Sequence, residues 1–122
     1  MTAKLAAALR AAAHGILPDE AGTGLLIDSG CFLPRADVTR FTRAAAGTSD
    51  PATLLAWTDW DAVTTALDHG RLHASSGEKA VLRLAASLAN GNPVSLRDTV
   101  PGLDHRNLNL LTTAIRHAAG HR

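Results

Sequence analysis

The sequence predicts an all-α fold: one compact domain over residues 1–122, built as a bundle of about six or seven short helices. Three observations support this prediction. Alanine and leucine dominate the apolar residues, and both favour helices. The chain has no tyrosine, two phenylalanines and two tryptophans, whereas strands favour aromatic and β-branched residues. Glycine and proline divide the chain into segments of helical length, and 122 residues fit one domain.

The first two helices are predicted from the residues at their ends. Apolar residues recur at helical spacing over residues 2–14, and Gly15 is typical of the position that follows a helix C-terminus. Pro18 is tolerated in the first turn of the second helix, and two acidic residues after it suit the positive end of the helix dipole. The second helix is predicted to end near Gly30.

A third helix is predicted to begin at Pro34 or Asp37 and to end at Gly47. Its inward residues are expected to be Val38, Phe41 and Ala45. The stretch "TSDPATLLAW" predicts another helix start, with Asp50 as the N-cap and Pro51 behind it.

The next helix is predicted to be capped by Thr58, with Asp61 as the acidic partner three residues later. Its inner face is expected to carry Trp60, Val63 and Leu67. If the helix is continuous, Trp57 and Trp60 lie on one side of it. Two tryptophans at this spacing indicate core packing, and a ligand or partner contact is the alternative.

The stretch "SSGEKAVLRLAASLANG", residues 75–91, predicts a helix with a capping box, because Ser75 and Glu78 have the S-x-x-E spacing. Its inward stripe is expected to be Val81, Leu84, Ala85 and Leu88, with Lys79, Arg83 and Ser87 facing outward. A short helix in "VSLRDTV" and the turn "PGLD" follow, and a last helix is predicted over residues 104–119, ending at Gly120.

The same stretch resembles the signature region of ATP-binding cassette proteins, in which a helix that starts at a Ser-Gly pair faces a nucleotide phosphate. Asp98 falls near the position of the family's Walker B acid, and "GLDHRN" is similar to the turn that follows it. That family holds phosphate on a G-x-x-x-x-G-K-[ST] loop, and this sequence has none. Arg97 stands where an apolar strand is needed, and Thr99 replaces the catalytic glutamate. We therefore predict no ATP binding, no cofactor and no enzymatic activity.

A second resemblance extends over most of the chain. The segments "HGILPDEAGTGLLI" and "GLDHRNLNLLTTAIRHAAG" are similar to those of small uncharacterised proteins common in actinobacteria. This resemblance implies a soluble cytosolic domain and no particular chemistry. A single cysteine, Cys31, agrees with a cytoplasmic location, as does the absence of a secretion signal. Arg10 interrupts the first apolar run, so no membrane partner is expected.

Metal and nucleophile chemistry find little support in the sequence. His69/His73 and His117/His121 have the i, i+4 spacing of zinc ligands on a helix, but a glycine falls within each pair, so no metal site is predicted. Cys31 is expected to be an inert core thiol, and a Cys–His nucleophile pair is the alternative.

The two halves of the chain differ in charge. Residues 1–68 carry five Lys/Arg and eight Asp/Glu, whereas residues 69–122 carry seven and three. The difference indicates either an anionic partner for the C-terminal half or pairing between the two halves inside one domain.

The last three helices have the outline of a helix-turn-helix. On the last of them, Leu108, Leu111, Ile115 and Ala118 are expected to point inward. The opposite stripe would carry Arg106, Asn109, Thr113 and Arg116, side chains that contact phosphates and base edges. Lys79, Arg83 and Arg97 complete the candidate binding set. The prediction is a non-enzymatic binding protein for nucleic acid; the alternative is a protein adaptor or a homo-oligomeric subunit.

Overall fold

The computed structural model describes residues 2–30, 32–47, 50 and 52–121. Within them the chain forms seven α-helices, a short 3-10 helix and a two-stranded sheet. The elements are α1 (Thr2–Ala13), α2 (Leu17–Asp28), α3 (Ala36–Thr39), β1 (Thr42–Ala46), β2 (Leu54–Thr58), α4 (Trp60–Asp68), α5 (Ser76–Asn90), α6 (Leu96–Thr99), the 3-10 helix (Val100–Gly102) and α7 (His105–Ala118). The prediction of a mainly helical protein is confirmed, and the sheet corrects the all-α assignment.

The predicted ends of α1 and α2 agree with the structure. Gly15 has φ of +95°, a conformation that glycine adopts at little cost, so the chain turns there between the two helices. Pro18 lies in the first turn of α2 and two acids follow it, as expected. Gly30, with φ of +80°, lies just beyond the end of α2.

The predicted third helix is wrong beyond its first turn. After α3 the chain enters β1, which pairs antiparallel with β2, so that Thr42 lies opposite Thr58. Alanines in "TRAAA" favour a helix, but backbone pairing and the burial of Ala56 against α1 outweigh that local preference. Gly47 lies directly after β1 and is the first residue of the turn. Its N–H donates to Thr53 O at 2.8 Å.

The expected helix start at Asp50 is also wrong. Its carboxylate instead accepts from Ala52 N–H at 3.1 Å and from the Thr53 hydroxyl at 2.8 Å, which folds the hairpin turn. Pro51, expected behind that cap, lies outside the described residues.

The cap of α4 is Asp59 rather than Thr58. The Asp59 carboxylate accepts from Ala62 N–H at 3.1 Å, whereas Thr58 is the last residue of β2. The two tryptophans therefore lie on different elements. Trp60 is buried in the core, and Trp57 lies on β2 with 47% of its surface exposed.

Helix α5 is the central element of the bundle. The predicted capping box is confirmed: Glu78 N–H donates to Ser75 Oγ, and Ser75 N–H donates to the Glu78 carboxylate. Gly91 ends the helix with φ of +77°. The buried residues of α5 cover most of its circumference, because neighbouring elements pack on several sides; they are Ala80, Val81, Leu82, Leu84, Ala85 and Ala86.

Helix α2 joins the parts of the fold, since it packs against α1, α5 and α7. Its contact with α5 is very close at Gly22. A Cβ atom at that position would lie 2.5 Å from Ala89 Cβ and 2.6 Å from Ala85 O. On the other side, α1 packs on β2 and buries Ala8 and Leu9.

Candidate functional site

The predicted surface lies on α7, and its first turn is tied to the end of α2. Arg106 donates from Nη1 to Ser29 O and from Nη2 to Asp28 O, each at 2.8 Å. These carbonyls belong to the C-terminal turn of α2, where basic side chains are favoured. The guanidinium that was expected to be available for a partner thus already bonds two backbone carbonyls of this chain.

The orientation of α7 differs from the predicted one. Leu111 and Ala114 are buried, whereas Leu108 is 39% and Ile115 49% exposed, so the inward positions of these two residues were predicted wrongly. Two polar contacts with α2 account for this orientation of α7. Arg106 and His117 are eleven residues apart and so lie on one edge of the helix, and both bond to α2. Their contacts turn that edge towards α2 and leave the opposite edge exposed.

That exposed edge forms a stripe without charge. It contains residues at spacings of four, three and four, which lie along one line of a helix. We call it the α7 stripe: Leu108, Thr112, Ile115 and Ala119. All four residues are exposed.

The four predicted polar residues of α7 follow one another at spacings of three, four and three, so they lie along one line of the helix. Asn109 and Arg116 are exposed beside the α7 stripe. Thr113 is also exposed but lies on the α2 side, where it lines a cleft. All four are exposed and share one side of the helix, and Arg106 at its α2 edge also bonds two carbonyls of α2.

The basic residues predicted outside α7 lie on other elements. Arg83 faces α4, where its Nη1 lies 2.8 Å from Asp68 Oδ1. This pair joins the acidic first half of the chain to the basic second half, as one of the two interpretations of the charge difference expects. Lys79 on α5 and Arg97 on α6 make no ion pair among the described residues.

A cleft of about 400 Å³ lies between α1, α2 and α7, where no cleft was predicted. Helix α2 contributes Glu20, Gly24 and Asp28 at intervals of four residues, so the cleft runs along about 12 Å of this helix. The apolar lining is formed by Ala13, Ala21, Leu25, Leu110 and Ala114. We call this site the α2 cleft.

Each end of the α2 cleft carries an acid with a basic partner. At one end, Arg10 Nη2 lies 3.0 Å from Asp28 Oδ1, and both side chains are half exposed. At the other, His117 Nε2 lies 2.6 Å from Glu20 Oε1. His14 adds an exposed imidazole 3.8 Å from Glu20 Oε2.

The Glu20 carboxylate is held in its ionised form. The Gly15 N–H donates to Oε2 at 2.7 Å, and this bond, followed by that of His117, lowers the pKa of Glu20 from its ordinary value. A carboxylate fixed in this way orients the imidazole it bonds, as it does in catalytic and pH-sensing histidines. Among the described residues, His117 makes no further side-chain hydrogen bond.

Sequence reasoning missed this cleft because its residues were assigned local roles. Glu20 was interpreted as favourable charge in a first turn, and His117 was considered only as one of a pair of zinc-ligand candidates, for which no metal site was predicted. The available signal was the spacing of Glu20, Gly24 and Asp28, which lie on one face of α2. Nothing in the sequence showed that α1 and α7 pack beside that face.

Within the described residues, no cluster of three or more His, Cys, Asp or Glu is placed to hold a metal ion. Cys31, for which a thiol role was considered, lies outside those residues. None of the described helices has the length and apolar character needed to cross a bilayer. Comparisons with protein-family models, curated proteins and solved structures find no match for this chain.

Replacing Arg106 with alanine is expected to lower the free energy of unfolding by about 1–2 kcal/mol, because two charge-assisted bonds to α2 carbonyls are lost. Arg116→Ala is the matched control. It removes an arginine that makes no ion pair among the described residues and should stay within about 0.5 kcal/mol of the parent. Urea unfolding of both variants measures their free energies of unfolding. Equal values would show that the Arg106 bonds to α2 do not stabilise the fold.

Proposed function

We propose that this protein is a non-enzymatic helical binding subunit that associates with a second copy of itself through the α7 stripe. The observation that carries the proposal is the exposure of Leu108 and Ile115 on an uncharged line of a well-anchored helix. Apolar residues grouped along one helix edge are typical of helix–helix contacts, and isolated exposed apolar residues are not.

A second copy fits this stripe by symmetry. When two α7 helices run antiparallel about a two-fold axis, Leu108 of each copy lies opposite Ile115 of the other, and the small side chain of Thr112 lies between them. The apolar groups of the stripe are therefore complementary between identical copies.

The dimer is expected to be weak, because one helix pair buries less surface than a standard stable interface. Sedimentation analysis over a range of protein concentrations should show the mass rising from 12.7 kDa towards twice that value. Ile115→Asp places a charge in the middle of the stripe and should keep the protein monomeric at every concentration, since an unpaired charge is costly to bury.

Asn109→Asp is the matched control for this experiment. It adds the same charge to the solvent side of α7 but outside the stripe, so association should persist. A wild-type protein that stays monomeric at millimolar concentration, or an Ile115→Asp protein that still associates, would contradict the proposal.

Nucleic-acid binding is the second candidate, and one observation favours it. The sequence from His105 to His121 contains no acid, and it includes Arg116 and Asn109 on the solvent side of α7. Random duplex DNA at low salt is the direct probe, because binding through phosphates is strongest there. Binding that weakens steeply with salt and is reduced in Arg116→Ala would support this candidate, and no binding at low salt would exclude it.

A further inference from the structure

We infer that the α2 cleft is a binding site for a small organic ammonium ion with an apolar body. The cleft lies on the α2 side of α7, whereas the α7 stripe lies on the opposite edge of that helix. The inference is therefore independent of the proposed self-association and is tested by separate measurements. Its support comes from one unbalanced negative charge, from the apolar walls of the cleft and from a glycine that leaves the cleft open.

The cleft carries a negative charge that no lysine or arginine balances. Among the described residues that line it, Asp28 and Glu20 are the acids, and Arg10 is the only lysine or arginine. Arg10 lies 3.0 Å from Asp28, so these two charges cancel at one end of the cleft. At the other end, Glu20 makes ion-pair contacts only with histidines within the described part of the chain. One carboxylate therefore remains in excess when those histidines are neutral.

Glu20 keeps its charge although its side chain is only 20% exposed. Its pKa is lowered, first by the N–H of Gly15, which donates to Oε2 at 2.7 Å, and then by the hydrogen bond with His117. An amide carries no charge, and an imidazole carries none above the ordinary titration range of histidine. Each carboxylate oxygen has two lone pairs, so both oxygens of Glu20 can accept a further bond. An ammonium group supplies both the missing positive charge and the donors.

The walls between the two ends of the cleft fit an apolar body. They are formed by Ala21 and Leu25 of α2 and by Leu110 and Ala114 of α7. A volume of about 400 Å³ is within the range of small-molecule sites. A linear or single-ring body that follows α2 would cover these side chains while its ammonium group stays at Glu20. An inorganic cation would leave the apolar walls in contact with water, so an organic cation matches more of the site.

Gly24 keeps the middle of the cleft open. It lies within α2, where glycine is less favourable than alanine. Its φ is not positive, so the backbone does not require glycine. A Cβ atom there would meet nothing closer than Arg10 Nη1 and Asp28 Oδ2, both at 3.9 Å. Neither backbone conformation nor close packing explains this glycine, and its effect is to leave the cleft unfilled beside the Arg10–Asp28 pair.

Three probes with the same six-carbon chain test the inference on the whole chain: hexylammonium, 1-hexanol and hexanoate. Each is titrated at pH 8, above the ordinary titration range of histidine, and binding is followed by the methyl resonances of Leu25 and Leu110. Hexylammonium is expected to bind saturably and about tenfold more tightly than 1-hexanol, since one charge-assisted bond contributes roughly that factor. Hexanoate should bind more weakly than either. Equally tight binding of hexanoate or 1-hexanol, or no saturable binding of hexylammonium, would overturn the inference.

Two substitutions and a matched control locate the site. Glu20→Gln removes the unbalanced charge and should weaken hexylammonium binding about tenfold, to the level of 1-hexanol. Asp19→Asn removes the neighbouring acid of the same helical turn, which lies outside the cleft lining, and should leave binding unchanged. Gly24→Leu should fill the cleft and abolish the binding of all three probes.

Thermal unfolding shows whether each variant keeps the fold. A folded Glu20→Gln protein that binds hexylammonium like the parent contradicts the inference. If Glu20→Gln does not fold, because Gly15 and His117 lose their partner, Gly24→Leu decides the matter. Parent-like binding by a folded Gly24→Leu protein would place the ligand elsewhere, and the inference would then be wrong.

Discussion

Gly22→Ala is expected to destabilise the protein by about 3 kcal/mol or more, in spite of the better helix propensity of alanine. The added Cβ would lie 2.6 Å from Ala85 O and 2.8 Å from Ala89 N, which are backbone atoms of α5. Side chains relieve such contacts by rotating, but backbone atoms do not. Helices α2 and α5, which pack closely against each other, must then separate. Urea unfolding measures the loss.

Gly24→Ala, two residues later in the same helix, is the matched control. The new methyl group would make only ordinary van der Waals contacts, at 3.9 Å from Arg10 Nη1 and Asp28 Oδ2, so it should raise the free energy of unfolding by about 0.5–1 kcal/mol. The two variants have the same chemical change and opposite expected signs. Equal effects would show that α5 does not restrict the size of the residue at position 22.

Phe32→Ala is expected to cost about 3–5 kcal/mol, the usual loss for a large aromatic residue removed from a core. Phe32 follows α2 in a loop, yet its side chain is 0% exposed and belongs to the main core. The loss has two parts: the apolar surface that is no longer buried and the cavity that a rigid surrounding cannot fill. Thermal and urea unfolding should agree on the change.

Phe41→Ala is the comparison, because Phe41 is the other phenylalanine of the chain and is only partly buried. One face of its ring is covered by the Arg40 guanidinium at 4.8 Å from the ring centre. The expected loss is about 1–2 kcal/mol, in proportion to the smaller area buried. A loss as large as that of Phe32→Ala would show that the extent of burial does not determine how much each phenylalanine contributes to stability.

The ends of α1, α2 and α5 were predicted correctly, because their causes are local. Ser75 and Glu78 satisfy each other's backbone N–H groups across one turn, and neighbours three residues apart in the sequence are enough to predict this. Gly15 and Gly91 stop helices for a similarly local reason. The hairpin was missed because its strands depend on one another and on α1, and neither partner is visible within "TRAAA" or "LLAWT".

The face that α7 presents was predicted only in part. Helical spacing correctly predicted that Leu111 is buried. It predicted the same for Leu108 and Ile115, which are exposed. What decides between the two edges is the bonding of Arg106 and His117 to α2, which is remote in the sequence. The α2 cleft was not predictable for the same reason, since these remote contacts bring its third wall, α7, beside α2.

The remote anchoring of α7 also has a kinetic consequence. Arg106 bonds a residue 78 positions away, and His117 one 97 positions away, so α7 reaches its place only after a long stretch of chain has closed. Helical bundles fold fast when their contacts are local, and closing long loops before any gain in contact energy slows the process. Refolding of this protein should therefore be slower than that of a helical bundle of equal length whose neighbours in space are neighbours in sequence.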